Sequence, residues 1–168
     1  MEPLRYIIDR LPANLEGKHV VDYACGSGRH GRLALARGAR VTFVDHDISK
    51  LGDLQKNDGV EIIECDLEQP DEWPLEAREF DIAIVTNYLF RPRLKEVFSL
   101  LPKGGHILYQ TFALGNEKFG RPSNPEFLLK PFELKDVLPD DFELLDFAQG
   151  EVTEPKAAVI QRLHAIRR

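Results

Sequence analysis

Two periods of apolar residues run along the chain. Residues 19–24, HVVDYA, make a short β-branched run of the kind expected in a strand buried on both faces. Residues 29–37, RHGRLALAR, are good helix formers and stop at Gly38, a natural helix terminus. A second strand is predicted over 39–44, and a helix over 48–56 with Asp47 as its N-cap. Strands are expected again over 60–65, 80–86 and 106–112. A helix over 93–101 is closed by Pro102 and by Gly104 and Gly105, and a short helix is expected over 132–137. The last two strands, 142–147 and 158–166, have a short link and should pair antiparallel. A lone amphipathic helix over 3–11 precedes the first strand.

Strands alternating with helices imply a parallel sheet covered on both faces. The expected fold is α/β, a Rossmann-like doubly wound, mostly parallel seven-stranded sheet with an antiparallel C-terminal strand. At 168 residues the chain suits one domain, residues 1–168, in which 1–17 form a short N-terminal helical extension.

Composition narrows the function. Hydrophobic residues make up 43% and charged residues 30%, as in soluble globular proteins. No apolar run nears the ~20 residues of a membrane helix, and MEPLRYIIDR lacks a signal pattern, so the expected location is cytoplasmic. A net charge of -6 repels polyanions, so nucleic acid is not favoured as a partner. The stretch 161–168, QRLHAIRR, is the best candidate for a basic patch. Cys25 and Cys65 share no metal-ligand spacing, and no metal is expected.

The stretch 20–28, VVDYACGSG, carries the most chemistry. It leaves a strand and enters a helix. Gly26 and Gly28 let the backbone turn sharply and approach a ligand, and the helix from Arg29 points free N–H groups at that space. With Gly31 the stretch also fits G-x-G-x-x-G, a pattern dinucleotide binders share. Asp22 would meet a pyrophosphate with unwelcome negative charge, whereas a ligand with an amino acid group and a sulfonium would tolerate it. Asp45 ends the second strand, at the distance where a ribose-binding acid is expected, and Asp66 ends the third. Ligands of open α/β sheets bind outside such strand ends.

Residues 22–31, DYACGSGRHG, resemble the first motif of the class I S-adenosylmethionine-dependent methyltransferases, and look most like the small tellurite-resistance-type and type 11 members. Asp22, Gly26 and Gly28 match that motif, and Ala24 stands where its first glycine is expected. The resemblance implies S-adenosylmethionine as cofactor. It implies ribose on Asp45, adenine between His46 and Leu67, the adenine amino group on Asp66, and the methionine part near Thr86 and Asn87. Tyr88 would border the acceptor. Asn87-Tyr88 lacks the two prolines of the Asn-Pro-Pro-Tyr signature, so no amino acceptor is inferred.

The long polar loop 113–125, ALGNEKFGRPSNP, is expected to be an acceptor-binding lid, with Asn116 and Arg121 as substrate-binding residues. Tyr88, His30 and Glu117 are candidate general bases, although methyl transfer from a sulfonium needs alignment more than it needs a base. The main reading is a methyltransferase acting on a small molecule. A methyltransferase acting on RNA or protein shares every cofactor residue, and a non-catalytic nucleotide-binding Rossmann domain stands beside both.

Overall fold

Every expected strand forms, and the order in which the strands lie places the glycine loop at mid-sheet. The computed structural model describes residues 1–69 and 71–168. Strands β1 (His19–Tyr23), β2 (Arg40–Asp45), β3 (Val60–Glu64), β4 (Ile82–Thr86), β5 (His106–Phe112), β6 (Phe142–Val152) and β7 (Ala158–Arg167) form one sheet in the order β3-β2-β1-β4-β5-β7-β6. The first five run parallel; β7 is antiparallel to β5 and to β6. Strand order reverses between β1 and β4, and a crevice opens above the carboxyl ends at such a switch point.

Alternate residues of each strand feed two separate cores. Val20, Phe43, Ile84 and Leu108 pack beneath helices α1 (Arg5–Arg10) and α2 (Arg29–Ala36). Val21, Tyr23, Val85, Tyr109 and Leu163 pack on the other face, with Leu94, Val97 and Phe98 of α3 (Leu94–Ser99) and Leu134 of α4 (Glu133–Asp136). The residues before β1 are part of this packing: Leu4, Tyr6, Ile7, Leu11 and Leu15 are all buried in the first core.

Three elements depart from expectation. Residues expected as a helix over 48–56 form a 3-10 helix, Ser49–Leu54. Gly52 and Asp53 are weak helix formers there, and the chain need only bury Leu51 and Leu54 before turning into β3. The helix expected over 93–101 is α3 preceded by a 3-10 turn, Arg91–Arg93. The final hairpin is longer than expected, with a register shift between Leu144 and Asp146.

Between β3 and β4 the described residues form no helix. The segment is held instead by a side chain from beyond β4. Arg93 is buried and donates hydrogen bonds to the carbonyls of Leu67, Gln69 and Glu72, and its guanidinium lies 5.2 Å from the centre of the Trp73 ring.

The seating of α2 on β1 and β2 leaves no room for a side chain at Gly31. A Cβ there would stand 2.3 Å from Phe43 Cε1 and 3.0 Å from Asp22 Oδ2. Gly31→Ala is therefore expected to destabilise the chain by about 2 kcal/mol through overpacking, read by denaturant unfolding. Shrinking the ring in Gly31→Ala/Phe43→Leu should recover part of the loss, and an unaffected single variant would show that α2 is not closely seated.

A candidate cofactor cleft at the strand ends

A cavity of about 830 Å³ opens at the carboxyl ends of β1, β2, β3 and β4, within the size range of small-molecule sites. Its base is the turn from β1 into α2. Ala24, Gly26 and Gly28 there all take left-handed backbone angles, with φ of 54°, 55° and 76°. Ala24 and Gly26 line the cavity, and a Cβ on Gly26 would have nothing within 4 Å, so a ligand can lie directly on the backbone. Gly28 sits behind, where a Cβ would strike Leu51 and Phe43 at 2.9 Å.

Asp45 forms one wall. Its Oδ2 accepts the Gly26 N–H at 2.8 Å, and its Oδ1 accepts the Asp47 N–H at 3.0 Å. The ring Nδ1 of His46 also lies 3.0 Å from Oδ1. Each carboxylate oxygen has a second lone pair, so Asp45 can fix the loop and still accept from a ligand. His46 is exposed beside it. Across the cavity, Asp66 accepts from the Glu68 N–H at 3.0 Å, and Leu67 offers a buried apolar face. Thr86, Asn87 and Tyr88 bring the end of β4 to the same cavity.

Two cations that drew no attention in the sequence also line it: Arg29, whose Nη1 donates to the Glu2 carbonyl at 3.0 Å, and Lys50. Arg29 is the first residue of α2 and reads in sequence as an ordinary helix former. Its place after the glycine turn was the available signal.

With this geometry in view, residues 20–105 match the family described as methyltransferase domain. The chain belongs to that family. It is a class I S-adenosylmethionine-dependent methyltransferase. No curated protein sequence matches it. Solved structures share its fold at low identity. TehB from Haemophilus influenzae superposes with a TM-score of 0.71 at 19% identity, over 96% of this chain; this chain spans 61% of TehB. An S-adenosylmethionine-dependent methyltransferase from Listeria monocytogenes, so described on a provisional basis, gives 0.73 at 13% identity over 96% of both chains. A Burkholderia thailandensis 1,6-didemethyltoxoflavin-N1-methyltransferase, solved with 1,6-didemethyltoxoflavin and S-adenosylhomocysteine, gives 0.66 at 20% identity, over 90% of this chain and 72% of that one.

Several expected site residues of this methyltransferase lie away from the cavity. Asp22 is fully buried beneath the loop, where Oδ2 accepts the Gly31 N–H at 2.8 Å. It braces the first turn of α2 and does not line the cleft. The reason is strand parity: Asp22 shares the face of Val20, which is turned toward α2. Asn116 is buried too, and both ends of its amide are taken, Nδ2 by the Pro122 carbonyl and Oδ1 by the Val159 N–H. Glu117 accepts from the Gly115 N–H. Arg121 is exposed on the same loop. None of the three lines the cavity; the loop packs against the start of β7.

The other two candidate bases are unsuited as they stand. His30 is buried; its Nε2 accepts the Leu4 N–H at 3.1 Å, so the proton sits on Nδ1, 3.3 Å from Thr86 Oγ1. Burial, with the nearby Arg29 charge, pulls its pKa down to about 3. His30 thus joins α1, α2 and the end of β4 as a neutral ring. Burial raises the Tyr88 phenol, which stays protonated at neutral pH.

Burial also pushes Asp22 up to about 7 from 3.8, against the Gly31 hydrogen bond and the Arg29 charge. The folded chain then holds a proton that the unfolded chain has released between those values. This contribution to stability is complete below pH 3.8 and is lost as pH rises through about 7. Asp22→Asn keeps an oxygen for the Gly31 N–H and has no proton to lose. Thermal melts across pH should show the variant gaining on the parent from about pH 4 to 7, and a constant difference would refute the assignment.

Proposed function

We propose that this methyltransferase moves the methyl group of S-adenosylmethionine to a small-molecule acceptor. One observation carries the proposal: a single cavity joins the Asp45 carboxylate, the open backbone at Gly26, the Leu67 face and the Thr86–Tyr88 segment. These residues suit each part of the cofactor. Asp45 has lone pairs left for two ribose hydroxyls, Leu67 and His46 flank a space for adenine, and Asp66 accepts from its amino group. Arg29 is the cation placed to meet the methionine carboxylate, an assignment beyond the resemblance.

When bound, the cofactor supplies an electrophilic methyl group on a sulfonium. The residues of this chain supply placement. His30 holds Thr86 from behind, and the Tyr109 hydroxyl donates to the Tyr88 carbonyl at 2.8 Å, so the β4 end is rigid. Alignment of the reacting atoms at about 3 Å is what this site can contribute. A small acceptor is supported by the concave shape and by a lining in which Asp45, Asp47, Asp66 and Glu68 outnumber Arg29 and Lys50, a field that resists a polyanion. The toxoflavin-precursor enzyme among the solved neighbours acts on a small molecule. No helix among the described residues is long and apolar enough to cross a membrane.

Calorimetry with S-adenosylhomocysteine and NAD tests the cofactor, and a labelled-cofactor screen of metabolite extracts tests the acceptor. S-adenosylhomocysteine should bind more tightly than NAD; the reverse order overturns the proposal. Charged hydrogen bonds contribute about 1.5–3 kcal/mol, so Asp45→Asn should weaken S-adenosylhomocysteine at least about tenfold in a folded chain. Arg29→Met should weaken S-adenosylhomocysteine and leave 5′-methylthioadenosine, which lacks the carboxylate, nearly unchanged. Equal losses for both ligands would remove Arg29 from the carboxylate.

A further inference from the structure

A strip of unmet polar groups crosses the sheet beside the cleft. Thr86, which lines the cavity, stands opposite Gln110 on β5, and Gln110 stands opposite Arg162 on β7. Register partners share a face, so the three side chains form one row toward α1. Gln110 is 7% exposed and its Oε1 is buried with no partner. The Nε of Arg162 is buried with no partner, and the ring of Tyr6, whose hydroxyl faces Asp146, lies 4.8 Å from the Arg162 guanidinium. Among the described residues, two buried side-chain atoms without a partner therefore stand on one register pair. Buried polar atoms without partners are costly, and each calls for a partner from outside the chain, whether water, ion or ligand.

The charges around the row are also unbalanced. The nearest acid, Asp146, is engaged by Arg10 at 2.6 Å, and Arg10 itself lies 4.3 Å from the Tyr6 ring. His164, one position along β7 on the same face, is held neutral by burial, with His106 against it at 2.9 Å. No carboxylate among the described residues lies within ion-pairing distance of Arg162. What the row lacks is an anion with planar geometry for the guanidinium fork and a hydrogen-bond donor for Gln110.

We propose that Arg162 and Gln110, with Tyr6, form the acceptor-recognition site, which takes a small molecule bearing a carboxylate or similar oxyanion together with a hydroxyl or amino donor. This rests on the proposed function, because the row matters to methyl transfer only through Thr86 and the cavity it lines. Arg162 grips the oxyanion, Gln110 accepts from the donor, and the bound molecule is thereby held beside the end of β4.

The test uses the full chain, 15N-labelled and saturated with S-adenosylhomocysteine. The probe is 4-hydroxybenzoate, with 4-hydroxybenzamide as its uncharged twin. The Arg162 side-chain N–H signal, assigned by its loss in Arg162→Gln, should shift with the carboxylate and stay still with the amide. Arg162→Gln should weaken 4-hydroxybenzoate at least tenfold and leave S-adenosylhomocysteine within twofold. Gln110→Leu is the second variant should Arg162→Gln fold poorly, and it should weaken the same probe. A silent Arg162 signal, or equal binding of both probes, overturns the inference, and the orphaned atoms are then filled by buried water. If S-adenosylhomocysteine itself fails to bind, the proposed function falls, and the two-probe titration on the free chain still decides whether Arg162 is an anion site.

Discussion

The hydrogen bond from the Gly31 N–H to the buried carboxylate of Asp22 is the contact on which the cleft depends. It ties the first turn of α2 to the last residues of β1 and draws the helix onto the Phe43 ring. The intervening loop must then close in few residues, through successive left-handed turns at Ala24, Gly26 and Gly28. That closure leaves the Gly26 backbone bare toward the cavity and sets its N–H against Asp45. One buried acid thus shapes a loop it does not touch a ligand through, and a second acid on the next strand finishes the shape.

Much of this was legible in the sequence because strands buried on both faces leave strong traces. The runs HVVDYA, ARVTFV and FDIAIVT are β-branched and apolar over most of their length, and acids or glycines mark their carboxyl ends. Asp45 and Asp66 stand out by their positions at strand ends, the family resemblance adds Thr86 and Asn87, and the parallel topology brings all four to one cavity. The family match over residues 20–105 covers the same stretch.

What stayed hidden depended on three-dimensional partners. The side of β1 on which Asp22 falls follows from counting from Val20, yet its motif position drew attention to the ligand instead. The loop 113–125 reads as free to bind because it is long and polar; in the fold, Asn116 is consumed by Pro122 within the loop and by Val159, 43 residues along the chain. The polar interruptions in HILYQTF and AVIQRLHAI were the available sign of the row at Gln110 and Arg162, since a strand interior seldom carries such residues without a use. Arg29 has no such sign beyond its place after the turn.

The segment between β3 and β4 carries a consequence in time as well as in space. Asp66 and Leu67 face the cavity from a stretch whose described residues form no helix, and the carbonyls of Leu67, Gln69 and Glu72 are gathered by Arg93. During synthesis the chain emerges from its amino end, so β1, α2 and β2 leave the ribosome before residue 93 does. The wall that would meet adenine takes its final form only after β4 has been laid down and the following turn has delivered its guanidinium. A chain that ends before that turn would hold the Asp45 side of the cleft in its sequence and lack the brace of the opposite side.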